Sequence, residues 1–531
     1  MKKIQLVVLT LSAAALAAGT AFADDSSLDS FDSLNSTTAA AAPAVSVGGE
    51  GSLDARYYVD ADQDSAGETP AAVTPSAKID FKFDAGKADI DAKFAVSEAI
   101  VKNYPRSLID ELTMRAYLGD FTVEAGDMKV VWGKGDKLHV LDNFNANDFT
   151  DFLIPDYIDR RIAEPMFHVS WNCPADFAVH SLRIEGVYTP LMTPDRLAAS
   201  GVWEPAQMTS LTSGVTAYAS SAVKTVVTNL ENARIAAATY ETLAAEAGAA
   251  GNLTAYTTYK AAATAQEANI AAYNTQYLLA LSQSETLADD LYPDTYQLKY
   301  GQAGVRMTGT IGTVDTGLSY YYGHYKQPSV NYDKIGTYVQ KYLAGTATED
   351  DKFLTYDKLQ VFGAEAASAV GPVNLRGEFG YYLTDDVAGT DKNVHNNSLN
   401  WVAGFDYNIP VNNMNVNVQT IGQYILNNGA ADDNGATDVD YSEYGYYSND
   451  KIVLNLSDTW NHEKIKPECS VIWGIERKDF IVMPKLTVNL FGGCDLIASG
   501  MYITNFDSAE KSEFSAYQNN SFVQMSVKYT F

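Results

Sequence analysis

The nine residues at the carboxyl end of the chain alternate between apolar and polar side chains without interruption. Val523, Met525, Val527, Tyr529 and Phe531 are apolar, and the four residues between them are polar. A period of two is that of a β-strand whose faces meet different environments, one apolar and one aqueous. The pattern therefore predicts that the chain ends on a strand of a two-sided sheet.

The amino terminus has the features of a secretory signal peptide. Lys2 and Lys3 precede a largely apolar stretch over residues 4–18, and residues 21–23 form a small-residue cleavage site. We predict a signal peptide over residues 1–23 and a disordered periplasmic lead-in over residues 24–45, because large apolar residues are scarce there. The formal net charge is −29, and loss of two lysines makes the mature chain more acidic. This charge argues against a nucleic-acid partner.

The rest of the chain predicts a membrane protein that crosses as strands. After the signal there is no run of about 18 apolar residues, which a spanning helix needs, and an open sheet would leave backbone groups unpaired in lipid. Alternating segments recur to the end, and an aromatic last residue is typical of bacterial outer-membrane proteins. We predict an all-β fold: a transmembrane antiparallel β-barrel of about 16–18 strands over residues 46–531, in the cell outer membrane.

The lengths of the connections favour a barrel over a soluble sandwich, which would also alternate. Outer-membrane barrels have short periplasmic turns and longer external loops. We predict short turns directly after eight residues and mostly longer connections between them, with both ends of the barrel in the periplasm. The eight residues are Asp84, Gly119, Asn172, Ile311, Val370, Ile409, Trp460 and Leu490.

A long insertion over residues 202–292 interrupts the strand pattern. It is rich in Ala, the best helix former, and Gly248, Gly251 and Asn252 break it near its middle. We predict a helical hairpin with arms over residues 212–247 and 253–287. Two arrangements remain open, a protruding external loop and a plug; we favour the loop, because long insertions usually lie on the surface.

The most distinctive local sequence is residues 131–149, which begins Val-Trp-Gly-Lys-Gly-Asp. It resembles the corresponding segment of a poorly characterised family of long bacterial outer-membrane barrels, as does the carboxyl-terminal arrangement from Met483-Pro484-Lys485 onward. The matching positions are Trp132, Gly133, Asp136, Val140, Asp142, Asn145, Asp148 and Arg161-Ile162, whereas Ala146 stands where that family commonly has proline. The resemblance implies a membrane channel or transporter whose substrate is unassigned.

This segment belongs to the third external connection, and in general porins, which the chain resembles in architecture, the third loop folds inward. Its apolar residues, such as Leu141 and Phe144, are too many for a loop exposed to water, so we expect it to pack on the wall of the lumen. Rings of charged side chains set selectivity in pores. The candidates for a pore constriction are Asp142, Asp148, Asp151, Asp156, Asp159, Arg160 and Arg161; the candidates for the lumen wall are Lys82, Lys93, Arg115 and Arg376.

The sequence predicts a porin-like channel for passive diffusion of small hydrophilic solutes or ions. The alternative is a surface adhesin or binding protein that is anchored by the barrel and works through the helical insertion. We find no catalytic constellation and no metal spacing among the histidines, and expect neither enzyme activity nor a cofactor. The expected partners are outer-membrane lipid, a lipopolysaccharide-type surface, the barrel assembly machinery through the strand that ends at Phe531, and a possible homo-oligomer.

Overall fold

The computed structural model describes residues 44–59, 71–174, 178–506 and 514–531, without the side chains of Ala206 and Asp289. The predicted signal peptide and residues 24–43 of the predicted lead-in lie outside this range. The first strand begins at Ala44, two residues before the predicted start of the barrel at residue 46. The chain consists of two compact units: a first unit with residues up to 204, 295–327 and 357–531, and a second with residues 205–294 and 328–356.

Within the described residues, the first unit contains 18 strands that form one sheet. In chain order they are β1 (Ala44–Tyr58), β2 (Ala71–Asp84), β3 (Ala88–Ser97), β4 (Ile109–Leu118), β5 (Phe121–Met128), β6 (Glu164–Asn172), β7 (His180–Thr189), β8 (Gln302–Ile311), β9 (Val314–His324), β12 (Lys358–Val370), β13 (Val373–Thr384), β14 (Ser398–Asn408), β15 (Asn415–Ile425), β16 (Lys451–Ser457), β17 (Ile465–Gly474), β18 (Asp479–Phe491), β19 (Cys494–Asn505) and β20 (Phe522–Thr530). The labels β10 (Ser329–Val330) and β11 (Leu354–Thr355) belong to a two-stranded ribbon in the second unit.

The sheet closes on itself. Every barrel strand pairs antiparallel with its neighbour along the chain, β9 continues to β12, and β1 pairs with both β2 and β20. The closing register places Glu50 opposite Thr530 and Tyr58 opposite Phe522. Closure leaves no free sheet edge, as a structure surrounded by lipid requires. The predicted antiparallel barrel is confirmed, with a strand count at the top of the predicted range.

All eight predicted short turns are present. They join β2–β3, β4–β5, β6–β7, β8–β9, β12–β13, β14–β15, β16–β17 and β18–β19. Because antiparallel strands alternate in direction, these turns lie at the end of the barrel where β1 starts and β20 finishes. The connections at the other end include the long segments 129–163, 190–301 and 385–397. The structure therefore has the difference in connection length between the two ends of the barrel that the sequence indicated.

The outer face of the wall is apolar and exposed. On β20, Val523, Met525 and Val527 are 56%, 48% and 47% exposed, while Ser526 between them is buried. Large apolar side chains are exposed in the same way on nearly every barrel strand, for example Phe81, Ile90, Met114, Phe167, Val305, Leu318, Phe362, Phe379, Phe405, Trp473 and Tyr502. An apolar surface of this extent is far larger than soluble proteins expose.

Short helices lie in the connections of the first unit: α1 (Glu98–Asn103), α2 (Tyr157–Arg160) and α6 (Gly429–Asn434). Ser97 caps α1, because its hydroxyl accepts a hydrogen bond from the amide of Ile100. Helix α2 lies inside the long connection between β5 and β6, which bears on the candidate site.

The second unit is built on the helical hairpin α3 (Ala206–Ala249) and α4 (Leu253–Thr286). The predicted hairpin is confirmed to within a few residues at each end. Asn252 caps α4 through a 3.1 Å bond from the amide of Ala255. The unit also recruits α5 (Ile335–Leu343) from the next connection, which the sequence did not predict. Its core is formed by residues of all three helices and the ribbon, including Val215, Ala280, Leu291, Tyr338, Val339 and Phe353.

Candidate pore

The connection between β5 and β6, residues 129–163, is the third at its end of the barrel, and we call it the third loop. Its apolar residues Trp132, Leu141 and Phe144 are at most 2% exposed. They pack in one cluster with residues of the barrel wall, namely Val187, Tyr321, Leu359, Val361 and Val402. The rings of Trp132 and Phe144 meet edge to face at 5.0 Å, a favourable arrangement of aromatic rings. The third loop therefore packs against the inner wall, as its apolar content indicated.

Small residues in the wall make room for this packing. A Cβ atom on Gly304 of β8 would lie 2.8 Å from Phe144 and 2.9 Å from Trp132, and one on Gly363 of β12 would lie 2.7 Å from Leu141. Carbon atoms do not approach so closely without displacement. The absence of a side chain at Gly304 and Gly363 therefore leaves the space that these loop residues occupy.

A buried carboxylate of the wall fixes the start of the third loop. Glu378 of β13 is fully buried, and its Oε1 accepts from the amide of Gly135 at 2.6 Å and lies 2.8 Å from Nδ1 of His139. Its Oε2 accepts from the amides of Val140 at 2.8 Å and Leu141 at 3.3 Å. Hydrogen bonds to a charged acceptor are the strong ones, so Glu378 is a main attachment of the loop.

The glycines of the distinctive Trp-Gly-Lys-Gly sequence allow this attachment. Gly133 has φ +116°, and a Cβ atom there would lie 2.1 Å from Oε1 of Glu378. A Cβ atom on Gly135 would lie 1.9 Å from the carbonyl oxygen of Leu138. Only glycine fits where a backbone must approach a neighbour this closely, which accounts for the two glycines flanking Lys134.

The contacts of the third loop with the wall extend from β13 to β15. The carbonyl oxygen of Asp136 accepts from Nε2 of Gln419 at 2.6 Å, and its carboxylate accepts from Nδ2 of Asn417 at 2.8 Å. Gln419 also accepts from the amide of Asp136 at 3.2 Å. All three bonds join the loop to inward-facing side chains of one strand.

The later part of the third loop contacts the opposite wall. Arg56 of β1 binds both carboxylate oxygens of Asp151, at 2.5 and 2.9 Å, and Nζ of Lys78 on β2 lies 2.6 Å from Asp159. Nine strands separate β1 from β13 in one direction around the barrel and seven in the other. Strands so placed face each other across the cylinder, and the third loop therefore crosses the bore.

An aromatic cluster reinforces this second attachment. The ring of Phe152 stacks on Trp203 with centroids 4.8 Å apart and planes at 1°. Phe522 of β20 and Met501 and Ile503 of β19 belong to the same cluster. The loop thus has an apolar contact and a polar contact on each side of the bore.

The seven predicted constriction residues fall into different environments. Asp142 and Arg161 are a buried pair, with Arg161 Nη2 2.7 Å from the carboxylate and side-chain exposures of 1% and 3%. Tyr157 also donates to Asp142. Burial raises the pKa of Asp142, while the guanidinium of Arg161 opposes the rise. The structure therefore places these two side chains in a buried ion pair within the third loop.

Three of the predicted acids are exposed to different degrees and paired with cations. Asp151 and Asp159 are 40% and 45% exposed in the ion pairs to the wall. Asp156 is 63% exposed and 3.3 Å from Lys137 of the same loop.

Asp148 and Arg160 complete the set. Asp148 is a quarter exposed and 2.7 Å from Arg196, whose guanidinium lies over the ring of Tyr104. Arg160 is half-buried; burial lowers its pKa, and its Nε has no hydrogen-bond partner among the described residues.

Three of the four predicted wall residues lie in ion pairs along the strands. Lys93 is 2.6 Å from Glu111, and Arg376 pairs with Asp406. Arg115 lies 2.6 Å from Glu124 and 3.2 Å from Asp89. Lys82 is exposed and stands opposite Asp91 in the strand register. The wall candidates belong to a network of alternating charge. The sequence pattern did not assign a role to Glu378, Arg56 or Lys78.

Two cavities flank the loop where it reaches β1. The first, of about 630 Å³, is lined by β1–β5 and by loop residues including Asp148 and Asp159. The second, of about 460 Å³, is lined by β16–β20, β1 and loop residues including Asp156 and Arg160. Only Asp54, Pro155 and Asp159 line both. A smaller polar cavity of about 170 Å³ lies beside Asp142, Arg161 and Lys326.

Two negative observations apply to the described residues. Within them, no helix is both long and apolar enough to cross a membrane. In the same part of the chain, no group of three or more His, Cys, Asp or Glu side chains is arranged to hold a metal ion.

No family model and no curated protein matches the chain. Solved structures do match: a chain described under "Asymmetric conductivity of engineered proteins" has 10% identity and a TM-score of 0.36. A mutant of the Rhodopseudomonas blastica porin, and a triple mutant of it, each have 9% identity and a TM-score of 0.35. In all three matches 92% of this chain and 100% of the other chain are covered. These values are too low to carry an argument about function.

Proposed function

We propose that this protein is an outer-membrane channel through which small hydrophilic solutes and ions diffuse passively, with the third loop as its constriction. The observation that supports the proposal most is the distribution of side chains on a closed barrel. Exposed apolar residues cover the outer face, and ion pairs and cavities occupy the inner one. A lipid-embedded cylinder with a wet bore needs this arrangement.

The proposal includes location and partners. A barrel of this kind belongs in the bacterial outer membrane, in contact with lipid and a lipopolysaccharide-type surface. The strand β20, which closes the barrel against β1, is the segment that the barrel assembly machinery would engage.

Reconstitution of the mature chain in planar bilayers tests the channel. Steady conductance steps are expected, because water-filled space remains on both sides of the third loop. A folded protein that gives no steps would refute the proposal.

Joint neutralisation of Asp148, Asp151 and Asp156 to Asn tests the constriction. The substitutions leave Arg196, Arg56 and Lys137 without their carboxylate partners, so the reversal potential should shift toward anion selectivity. Asp315→Asn in the β8–β9 hairpin, whose carboxylate binds Thr310 of the same hairpin, is the matched control. An unchanged reversal potential in the triple variant would dismiss the third loop as the filter.

A second candidate is a binding protein that works through the helical hairpin. The supporting observation is the exposure of large apolar side chains on it: Ile235, Leu253 and Leu278 are 58%, 73% and 64% exposed. Removal of residues 207–286 separates the two functions, since a channel should keep its conductance after the deletion.

A further inference from the structure

The two cavities beside the third loop are separated by ion pairs between the loop and the wall. Asp159 bonds to Lys78 and is one of the few residues common to both cavities. The pair between Arg56 and Asp151 crosses from wall to loop close by. Since the loop is attached to β13 on one side of the bore and to β1 and β2 on the other, it separates the space on one side of the loop from the space on the other side.

The linings of the two cavities differ in charge. The first carries six carboxylates, Glu50, Asp54, Asp110, Asp127, Asp148 and Asp159, against four cationic side chains. Three of these ten groups pair with residues outside the lining, Arg161 with Asp142, Asp110 with Lys129 and Glu50 with Lys528, which leaves four carboxylates against three cations. The second carries four carboxylates against four cations, Lys137, Arg160, Lys485 and Lys528. Two of these eight groups pair outside the lining, Asp159 with Lys78 and Lys528 with Glu50, which leaves three of each sign.

Arg160 distinguishes the second cavity further. Lys485 lies 3.0 Å from Glu468, and Lys528 lies 3.1 Å from Glu50. No carboxylate within ion-pair distance of Arg160 is found among the described residues, and its Nε lacks a hydrogen-bond partner there. Asp156 acts on Arg160 only from beyond ion-pair distance, and a half-buried guanidinium without a direct carboxylate partner favours anionic groups in the adjoining space.

We propose that the third loop divides the bore into two parallel routes: an acidic route along β1–β5 that favours cations, and a charge-balanced route along β16–β20 in which Arg160 admits anions. This inference rests on the proposed channel function. It differs from a single constriction, because each route conducts without the other.

Thiol labelling of one route at a time tests the division. The three cysteines, Cys173, Cys469 and Cys494, form no disulfide among the described residues and are first replaced by Ser. Asp127→Cys then marks the acidic route and Ser499→Cys the balanced one, since neither residue lines the cavity of the other route. A bulky maleimide is attached to each, labelling is verified by mass, and each variant is compared with itself before labelling, so that the lost charge of Asp127 cancels. The Cys-free chain is the control.

Each label should remove part of the conductance, and the two losses should add in the doubly labelled chain. Labelling at residue 127 should shift the reversal potential toward anions, and labelling at residue 499 should shift it toward cations. The proposal is overturned if one label alone abolishes conductance, if both shift the potential in the same direction, or if either thiol fails to react in the folded protein. Absence of conductance before labelling would instead overturn the proposed channel function itself.

Discussion

Replacement of Glu378 by Gln should release the third loop from the wall. The carboxylate accepts from three loop amides, those of Gly135, Val140 and Leu141, and contacts the ring of His139. Gln is nearly isosteric, so the shape of the wall is kept. Its NH2 group, however, is a donor placed where the carboxylate had an acceptor.

The size of the effect follows from the number of amides that lose an acceptor. If the NH2 group occupies the position of Oε1, the amide of Gly135 is left unpaired. If it occupies the position of Oε2, the amides of Val140 and Leu141 are both left unpaired. A buried N–H group without an acceptor costs about 1–3 kcal/mol. The loop attachment should therefore weaken by about 1–6 kcal/mol, and each 1.4 kcal/mol is about tenfold in the ratio of attached to detached loop.

Limited proteolysis and single-channel recording measure this change. Trypsin should cut the folded variant after Lys134 or Lys137 faster than the unsubstituted protein, and the open-channel current should become noisier. Glu365→Gln is the matched control, because Glu365 is a buried wall carboxylate too but pairs with Arg306 of the wall. Equal cleavage rates and currents in Glu378→Gln and the unsubstituted protein, or equal changes in the control, would refute the assignment of Glu378 as the attachment.

Two further predictions concern a glycine and a carboxyl group. Gly133→Ala should also raise trypsin cleavage of the third loop, because a Cβ atom there meets Glu378 at 2.1 Å and φ is +116°. Gly186→Ala, where a Cβ atom meets nothing within 4 Å, should leave the cleavage rate unchanged. Equal cleavage of both variants would count against the argument. Burial, together with Glu476, raises the pKa of Asp450 to about 6. A carboxyl group whose pKa is raised by folding stabilises the fold fully at a pH below its pKa in the unfolded chain, which is about 4. This contribution is lost as the pH rises through the pKa of the folded state, about 6. Amide exchange over residues 448–450, corrected for its intrinsic pH dependence, should therefore accelerate between about pH 4 and 7, and persistence of this acceleration in Asp450→Asn would contradict the prediction.

The barrel and the hairpin could be predicted because their signals are local. A period of two over about ten residues identifies a strand wherever it pairs, and an Ala-rich stretch interrupted by Gly251 and Asn252 identifies two helices. The inward course of the third loop followed from apolar residues such as Phe144, which is fully buried. In each of these cases the chain segment contains all that the inference needs.

The roles of the charged residues could not be predicted in the same way. Five acids of the third loop look alike in sequence, yet Asp142 is buried against Arg161, whereas Asp151 reaches Arg56, 95 residues away. An ion pair depends on which side chains the closed barrel brings together, and the register of distant strands decides that. The same reason explains why the role of Glu378, 243 residues from Gly135, was not recognised.

The two attachments of the third loop differ in kind, and this has a consequence for the bore. On the β13 side a fully buried carboxylate and an apolar cluster hold the loop, and salt barely screens buried groups. On the β1 and β2 side the acids Asp151 and Asp159 are 40% and 45% exposed, and an exposed ion pair contributes only about 0–1 kcal/mol. At about 1 M salt the Debye length falls to about 3 Å, so these pairs weaken first. The ion pairs to β1 and β2 are therefore the contacts of the loop that weaken at high ionic strength, while the aromatic contact of Phe152 with Trp203 keeps this part of the loop on the wall.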